Sequence, residues 1–260
     1  MIYVMSDIHG QQRRFNSVLE QINLQPEDTL YILGDVIDRN PDGIRILRRI
    51  MAMPNVKMLL GNHEYMMLQA LYYTVPERDP AWVEYHLERM RSIWYRNGGD
   101  VTHAYLKRIP KVIRQEVFEY LDKLPVNIEI TVNDRQFILT HAAPTELYPR
   151  LWTKYRDERE FAVWMRFESF MEIEGKTVIF GHTPTYHYNF ENPMEVWNAG
   201  SWIGIDCGCM FPEEGDPWSG VHGRLACLRL DDMMVFYSEE NYPDEGEDNN
   251  DGEEAESPAS

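Results

Sequence analysis

Ser6-Asp7-Ile8-His9-Gly10 directly follows the apolar run Ile2–Met5. Two further polar segments follow apolar runs at 30–33 and 56–60, namely Gly34-Asp35-Val36-Ile37-Asp38-Arg39 and Gly61-Asn62-His63-Glu64. Such runs are typical of buried strands, and open α/β sheets bind ligands at the carboxyl ends of their strands. The sequence therefore predicts that Asp, His and Asn side chains meet at one edge of a sheet.

Two later apolar runs end in the same way. Residues 137–140 lead into His141, and residues 177–180 lead into Gly181-His182-Thr183. One such motif would be weak evidence, because turns are rich in Asp, Asn and Gly, but five strand ends of this kind are difficult to attribute to chance. Oxygen and imidazole ligands suit Mn, Fe or Zn. Two cations sharing one carboxylate would use the whole set.

These five motifs resemble those of the calcineurin-like metallophosphoesterases. The Asp38-Arg39 ending and the Asn62-His63-Glu64 triplet are similar to the phosphoprotein phosphatase branch, especially its small bacterial members. The resemblance covers about residues 1–237. Asn40 stands where the family usually has Gly, and we expect it to keep the turn because Asn tolerates left-handed backbone angles.

The resemblance implies a role for each motif residue. The metal ligands would be Asp7, His9 and Asp35 for one cation, with Asp35 bridging, and Asn62, His141 and His182 for the second. His63 would be the general acid, with Asp38 orienting it and raising its pKa. Arg39 would bind phosphate oxygens through its planar guanidinium, together with Asn62 and, on a looser match, Arg166. Asp206 would support the loops beside the metals.

Two activities remain open from the sequence. The leading expectation is a phosphomonoesterase that hydrolyses phospho-Ser or phospho-Thr by in-line attack of a hydroxide bridging two divalent cations, with Mn expected and Fe or Zn as alternatives. The alternative is hydrolysis of dinucleoside polyphosphates such as diadenosine tetraphosphate, for which aromatic side chains of residues 82–105 could stack on adenine. A non-catalytic metal-binding scaffold is disfavoured, because neither a ligand nor the general acid is missing.

Alternating strand-like and helix-like segments predict an α/β fold, and strand-rich segments after residue 126 predict a second sheet. The resemblance implies a β-sandwich of two mixed sheets flanked by helices, with a catalytic domain over 1–238. Residues 74–125 are expected to form a helical insert that lines the cleft or covers a sheet edge. Helices are predicted at 66–73 and 156–171. Residues 239–260 are acidic without apolar periodicity, which predicts a disordered tail.

The amino-acid composition limits the classes of partner that this protein is expected to bind. The net charge is −18, and ten acidic residues without Lys or Arg lie in 239–260, so the remainder carries −8. This charge opposes binding to nucleic acid and to anionic membranes. Without a membrane-length apolar run or an N-terminal signal pattern, the expected setting is cytoplasmic and the expected partner is a phosphoprotein or small phosphate ester. The three cysteines, Cys207, Cys209 and Cys227, are expected to be buried and inert.

Overall fold

The structure is a computed structural model that describes residues 1–73, 79–151, 154–211, 222–239 and 242–243. Within these ranges the strands are β1 (Ile2–Met5), β2 (Thr29–Ile32), β3 (Val56–Met58), β4 (Asn127–Val132), β5 (Arg135–Thr140), β6 (Lys176–Phe180), β7 (Trp197–Asn198), β8 (Trp202–Gly204), β9 (Ala226–Arg229) and β10 (Met234–Tyr237). The α-helices are α1 (Gln12–Ile22), α2 (Gly43–Ala52), α3 (Asn62–Leu71), α4 (Pro80–Arg96), α5 (Gly99–Leu106), α6 (Lys111–Asp122) and α7 (Glu158–Trp164).

The strands form two mixed sheets of five. The first has the order β10-β9-β1-β2-β3, with β1, β2 and β3 parallel and β9 antiparallel to both of its neighbours. The second has the order β4-β5-β6-β8-β7, with β5, β6 and β8 parallel. The predicted α/β fold with two mixed sheets flanked by helices is confirmed.

Alternation along the strands builds the sandwich. Val4 of β1 and Ile179 of β6 point into the apolar layer between the sheets. Their neighbours Met5 and Phe180 point outward, into the helical layer and into an aromatic cluster respectively. Because successive strand side chains face opposite ways, each central strand is buried on both faces. His182 N donates to Asp7 Oδ2 at 3.0 Å, so the carboxyl ends of β1 and β6 lie near each other across the two sheets.

Two helix boundaries differ from the sequence prediction. Helix α3 begins at Asn62 rather than near residue 66, so Asn62 and His63 lie in its first turn. Helix α7 ends at Trp164, seven residues before the predicted end, so Arg166 lies on an irregular segment beyond it. Apolar spacing predicted neither boundary, and the start of α3 is instead set by a capping box between Gly61 and Glu64.

Helices α4, α5 and α6 lie between β3 and β4 in the chain, and α4 packs against α3. Residues 74–78 of the expected insert lie outside the described residues. Of the expected tail, only 239, 242 and 243 are described, and Glu239 N donates to Ser17 Oγ in α1 at 2.9 Å. All three cysteines are buried and free. Among the described helices, none has the length and apolarity that a membrane crossing requires.

Candidate metal centre and active site

Backbone conformation marks the site. Left-handed angles, with φ between 49° and 71°, are adopted by Asp7, His9, Asp35, Asp38, Arg39 and His182. Such angles are uncommon outside glycine and gather at functional sites, where the surroundings hold the strain. Asn40 itself does not adopt a left-handed angle, so that expectation is wrong. Instead, Asn40 Nδ2 donates to the carbonyl of His9 at 2.9 Å and joins the first two motif loops.

Asp35 lies at the centre of the predicted metal ligands. Its Oδ2 is 3.8 Å from His9 Nε2, and its Oδ1 is 3.5 Å from His141 Nε2. His9 Nε2 in turn lies 3.9 Å from Asp7 Oδ1. These side chains are almost completely buried. The two carboxylate oxygens of Asp35 therefore face two different ligand groups, as the predicted bridging position requires.

Asn62 completes the second group. Its Oδ1 lies 2.9 Å from His141 Nε2 and 2.8 Å from His182 Nδ1. His141 Nδ1 donates to the carbonyl of Leu33 at 2.9 Å, which leaves the lone pair of Nε2 facing the site. His9 is held in the same way, because its Nδ1 donates to the carbonyl of Ile37 at 3.1 Å. Backbone bonds of this kind fix the ring orientation of metal-ligating histidines.

The donor set fits divalent cations. Two groups, His9/Asp35/His63 and Asp35/His141/His182, each have ligand atoms within 4.8 Å of one another. Burial lowers the pKa of His141, so its neutral ring presents a lone pair to the amide oxygen of Asn62. Two facing lone pairs are best satisfied by a shared cation, and carboxylate with imidazole suits Mn, Fe or Zn. Asp7, His9, Asp35, Asn62, His141 and His182 thus form one continuous cage.

Burial governs the charges in this cage. It raises the pKa of Asp35 well above the ordinary value, and the neighbouring Asp7 raises it further. Burial and Asp7 likewise raise the pKa of Asp206, which accepts the Gly208 N–H at 3.0 Å within its own loop. Carboxylates packed this closely need positive charge beside them. Bound cations would supply it.

His63 and Asp38 form a buried pair beside the cage. His63 Nδ1 donates to Asp38 Oδ2 at 2.8 Å, and Arg39 Nη2 donates to His63 Nε2 at 3.2 Å. Burial, followed by Arg39, lowers the pKa of His63 well below its usual value, so the expected upward shift is wrong for this structure. Burial raises the pKa of Asp38 to about 7. The geometry nonetheless turns His63 Nε2 toward the cavity.

Two residues in the site had no role in the sequence prediction. Glu64, the last residue of its motif, accepts backbone N–H groups of Asp35, Val36, Ile37 and Gly61 at 2.8 to 3.3 Å. Trp94 of α4 donates its indole N–H to Asp38 Oδ2 at 2.7 Å. The motif itself pointed to Glu64. Trp94 had no such signal, because its partner lies 56 residues earlier in the chain.

The cage opens into a cavity of about 170 Å³. Beyond the ligands, His63 and Asp206, the described lining residues are Arg39, Asn97, Trp164, Arg166, Pro184, Tyr186, His187, Met210 and Phe211. Arg166 reaches the cage, where its Nε lies 3.3 Å from His182 Nε2. Asn97 is the one described lining residue from 82–105, so the expected aromatic contribution of that stretch is not found there. The described aromatic lining comes instead from Trp164, Tyr186 and Phe211.

The family model described as "Calcineurin-like phosphoesterase" matches residues 1–186. The chain belongs to this family. The resemblance seen in the five motifs is therefore confirmed at the family level, and the cage lies where those motifs converge.

Several curated relatives carry the name bis(5'-nucleosyl)-tetraphosphatase, symmetrical. The protein from Acidovorax sp. (strain JS42) is 29% identical over 154 residues, covering 52% of this chain and 53% of the relative. The protein from Pectobacterium atrosepticum is 35% identical over 110 residues, covering 42% and 37% respectively. The chain thus matches about half the length of these relatives or less.

Two solved structures of similar fold carry the names of different enzymes. A structure with the provisional name diadenosine tetraphosphatase superimposes with a TM-score of 0.55 at 18% identity, covering 91% of both chains. A cold-active protein-tyrosine phosphatase of a Shewanella species gives 0.52 at 17% identity, covering 92% of this chain and 80% of the other. At these identities the likeness establishes the fold alone.

Proposed function

We propose that this member of the calcineurin-like phosphoesterase family hydrolyses dinucleoside tetraphosphates at their central bond, releasing two nucleoside diphosphates. The observation that carries the proposal is the single cage of Asp7, His9, Asp35, Asn62, His141 and His182, flanked by two arginines in one cavity. The name shared by the curated relatives supports this substrate class over a phosphoprotein.

The two arginines suit a polyphosphate. Arg39 and Arg166 both line the cavity, and Arg166 is an exposed residue whose side chain reaches inward beside His182. A guanidinium binds phosphate oxygens through paired N–H donors. Two arginines on the rim of one cage can hold neighbouring phosphates of a chain, whereas a monoester presents a single phosphate.

The cavity size and its aromatic lining suit nucleosides outside the cage. A volume of about 170 Å³ accommodates phosphates but not two nucleosides, since sites that enclose drug-sized ligands span about 300–1,000 Å³. Tyr186 and Phe211 meet edge to face with ring centroids 6.0 Å apart, and both line the cavity. Stacking of a base on an aromatic side chain contributes about 1–3 kcal/mol. These rings are our candidates for nucleobase contact.

The chain's own residues would divide the chemistry as follows. Arg39 would hold the phosphate under attack, and Asp38 would keep the His63 ring with Nε2 toward the leaving oxygen. His63 would take up a proton from solvent at Nε2 and pass it to that oxygen as the bond to phosphorus breaks. Two divalent cations in the cage would activate water and neutralise charge on the phosphate oxygens. We propose Mn as the metal.

A side-by-side assay tests the proposal. We expect manganese-loaded protein to convert diadenosine tetraphosphate into ADP alone, with an Asp35→Asn variant inactive. A mixture of ATP and AMP would exclude cleavage at the central bond. Faster turnover of a phosphoserine peptide than of the dinucleotide would instead establish the second candidate, a phospho-Ser/Thr phosphatase. The His63–Asp38 pair favours that candidate, because proton donation helps an alkoxide leaving group most.

A further inference from the structure

Trp94, on helix α4 of the insert, contacts the His63–Asp38 pair. Its ring is fully buried, and its indole N–H donates to the same Asp38 oxygen that accepts from His63 Nδ1, at 2.7 and 2.8 Å respectively. The other carboxylate oxygen, Asp38 Oδ1, is buried without a hydrogen-bond partner among the described residues. Oδ2 is therefore the atom through which the carboxylate is oriented.

The surrounding backbone is shaped to admit this ring. A Cβ on Gly99, the first residue of α5, would lie 2.1 Å from Trp94 Nε1. A turn at 97–98 joins α4, which ends at Arg96, to α5. Thr102 Oγ1 accepts the Asp38 N–H at 3.0 Å. Helices α4 and α5 thus hold both parts of Asp38: Thr102 accepts from its backbone N–H, and Trp94 donates to its side chain.

We propose that Trp94 is a positioning residue for proton donation, which holds the Asp38 carboxylate so that His63 Nε2 faces the leaving oxygen. With one of its two donors removed, Oδ2 would be fixed by His63 alone, and the carboxylate and imidazole could rotate together. The inference rests on the proposed function only in requiring phosphoester hydrolysis with His63 as the acid. It assigns to the insert a part in the chemistry, beyond covering the sheet.

Leaving-group dependence separates this role from a structural one. A p-nitrophenolate group leaves readily without a proton, whereas phenolate needs one, so loss of the acid slows phenyl phosphate far more. General acid catalysis is worth about 10²- to 10⁴-fold, and misorientation should remove part of it. We expect Trp94→Phe to lower kcat on phenyl phosphate about 10-fold or more, with less than about 3-fold loss on p-nitrophenyl phosphate.

Trp202→Phe is the matched control. Trp202 is also almost fully buried, and its indole N–H donates to the Met171 carbonyl at 2.8 Å in the second sheet, away from the cage. We expect no leaving-group dependence in this variant. If Trp94→Phe folds poorly, 3-benzothienylalanine at position 94 keeps the shape of the ring and replaces only the N–H group by sulfur. It should reproduce the selective loss.

The hydrogen bond can also be followed without turnover. In ¹⁵N spectra, the Trp94 indole resonance should move in an Asp38→Asn variant, whereas that of Trp202 should not. Equal losses on both esters, or an unmoved resonance, would overturn the positioning role and leave the hydrolase intact. An unmutated protein inactive on both esters and on the dinucleotide would overturn the proposed function, and this inference with it.

Discussion

Glu64 Oε2 accepts the backbone N–H of Asp35 in a hydrogen bond of 2.9 Å. The Glu64 side chain is completely buried and also accepts from Val36, Ile37 and Gly61. One carboxylate therefore fixes the loop that carries Asp35 to the start of α3. Glu64, to which the sequence analysis assigned no role, thus joins the loop at 34–39 to the segment at 61–64.

Replacing this carboxylate should weaken both fold and metal binding. In Glu64→Gln one oxygen becomes an NH₂ group that faces backbone N–H donors, and we expect a loss of about 2–3 kcal/mol in the free energy of unfolding. Weaker Mn binding should follow because Asp35 moves. Urea denaturation and metal titration provide the measurements. Glu119→Gln, an exposed change on α6, should stay within about 0.5 kcal/mol of the unmutated protein, and equal effects would contradict the role of Glu64.

The buried carboxyls predict how stability varies with pH in a chelator. Burial raises the pKa values of Asp38 and Glu64 from 3.8 and 4.5 to about 7. Between those values the folded protein binds more protons than the unfolded chain, so the free energy of unfolding should fall as pH rises through this window. Denaturation at about pH 5.5 and pH 8 measures this.

Added Mn should reverse that trend. Cations neutralise the carboxylates, and protons compete for the same ligands, so the metal should stabilise the protein more at the higher pH. Asp38→Asn should reduce the pH dependence measured in the chelator. Stability that does not change with pH under chelation, or an equal gain from Mn at both values, would show that the cage carries no excess negative charge.

Gly98 is expected to place Arg39. Its φ is +90°, and a Cβ there would lie 2.8 Å from Arg39 Cγ, while its carbonyl accepts the Arg39 N–H at 2.9 Å. Gly98→Ala should raise KM for the dinucleotide about 10-fold by displacing the guanidinium. Gly175→Ala is the control, because its φ is +71° with no atom within 4 Å of the added Cβ. Both variants should lose about 1 kcal/mol of stability, but a KM change in both would refute the specific contact.

Loss of the Tyr186 ring should weaken binding of the dinucleotide but not of a simple phosphate ester. Tyr186→Ala removes a ring that lines the cavity, and base stacking is worth about 1–3 kcal/mol. We expect KM for diadenosine tetraphosphate to rise about 10-fold, with KM for p-nitrophenyl phosphate unchanged. Steady-state kinetics on both substrates measure the difference. Parallel changes on the two substrates would exclude a nucleobase contact at this ring.

The sequence correctly predicted that polar residues after several strands lie close together. The apolar runs before Asp7 and Asp35 form adjoining parallel strands of one sheet, and those before His141 and His182 form adjoining parallel strands of the other. Parallel neighbours bring their carboxyl ends to the same edge of a sheet. The sequence prediction failed at the limits of α3 and α7. Helix α3 starts at Asn62, where the Glu64 side chain accepts the N–H groups that begin the helix and close the neighbouring loop. The bond from Gly61 is local and forms part of a capping box, whereas the bonds from Asp35 and Val36 to Glu64 join segments distant in sequence.

The sequence by itself determined the family, the two-sheet fold and the set of groups able to hold cations, because residue type and strand period are local properties. Only the tertiary structure decided the rest. It determined the hydrogen-bond partners of Trp94 and Glu64. It also determined which aromatic residues line the cavity, namely Trp164, Tyr186 and Phe211. Finally, burial in the folded protein determined the direction in which the pKa of His63 shifts. The physical reason is that burial and long-range hydrogen bonds depend on which segments pack together. These contacts exist only when both sheets and the insert are folded against one another.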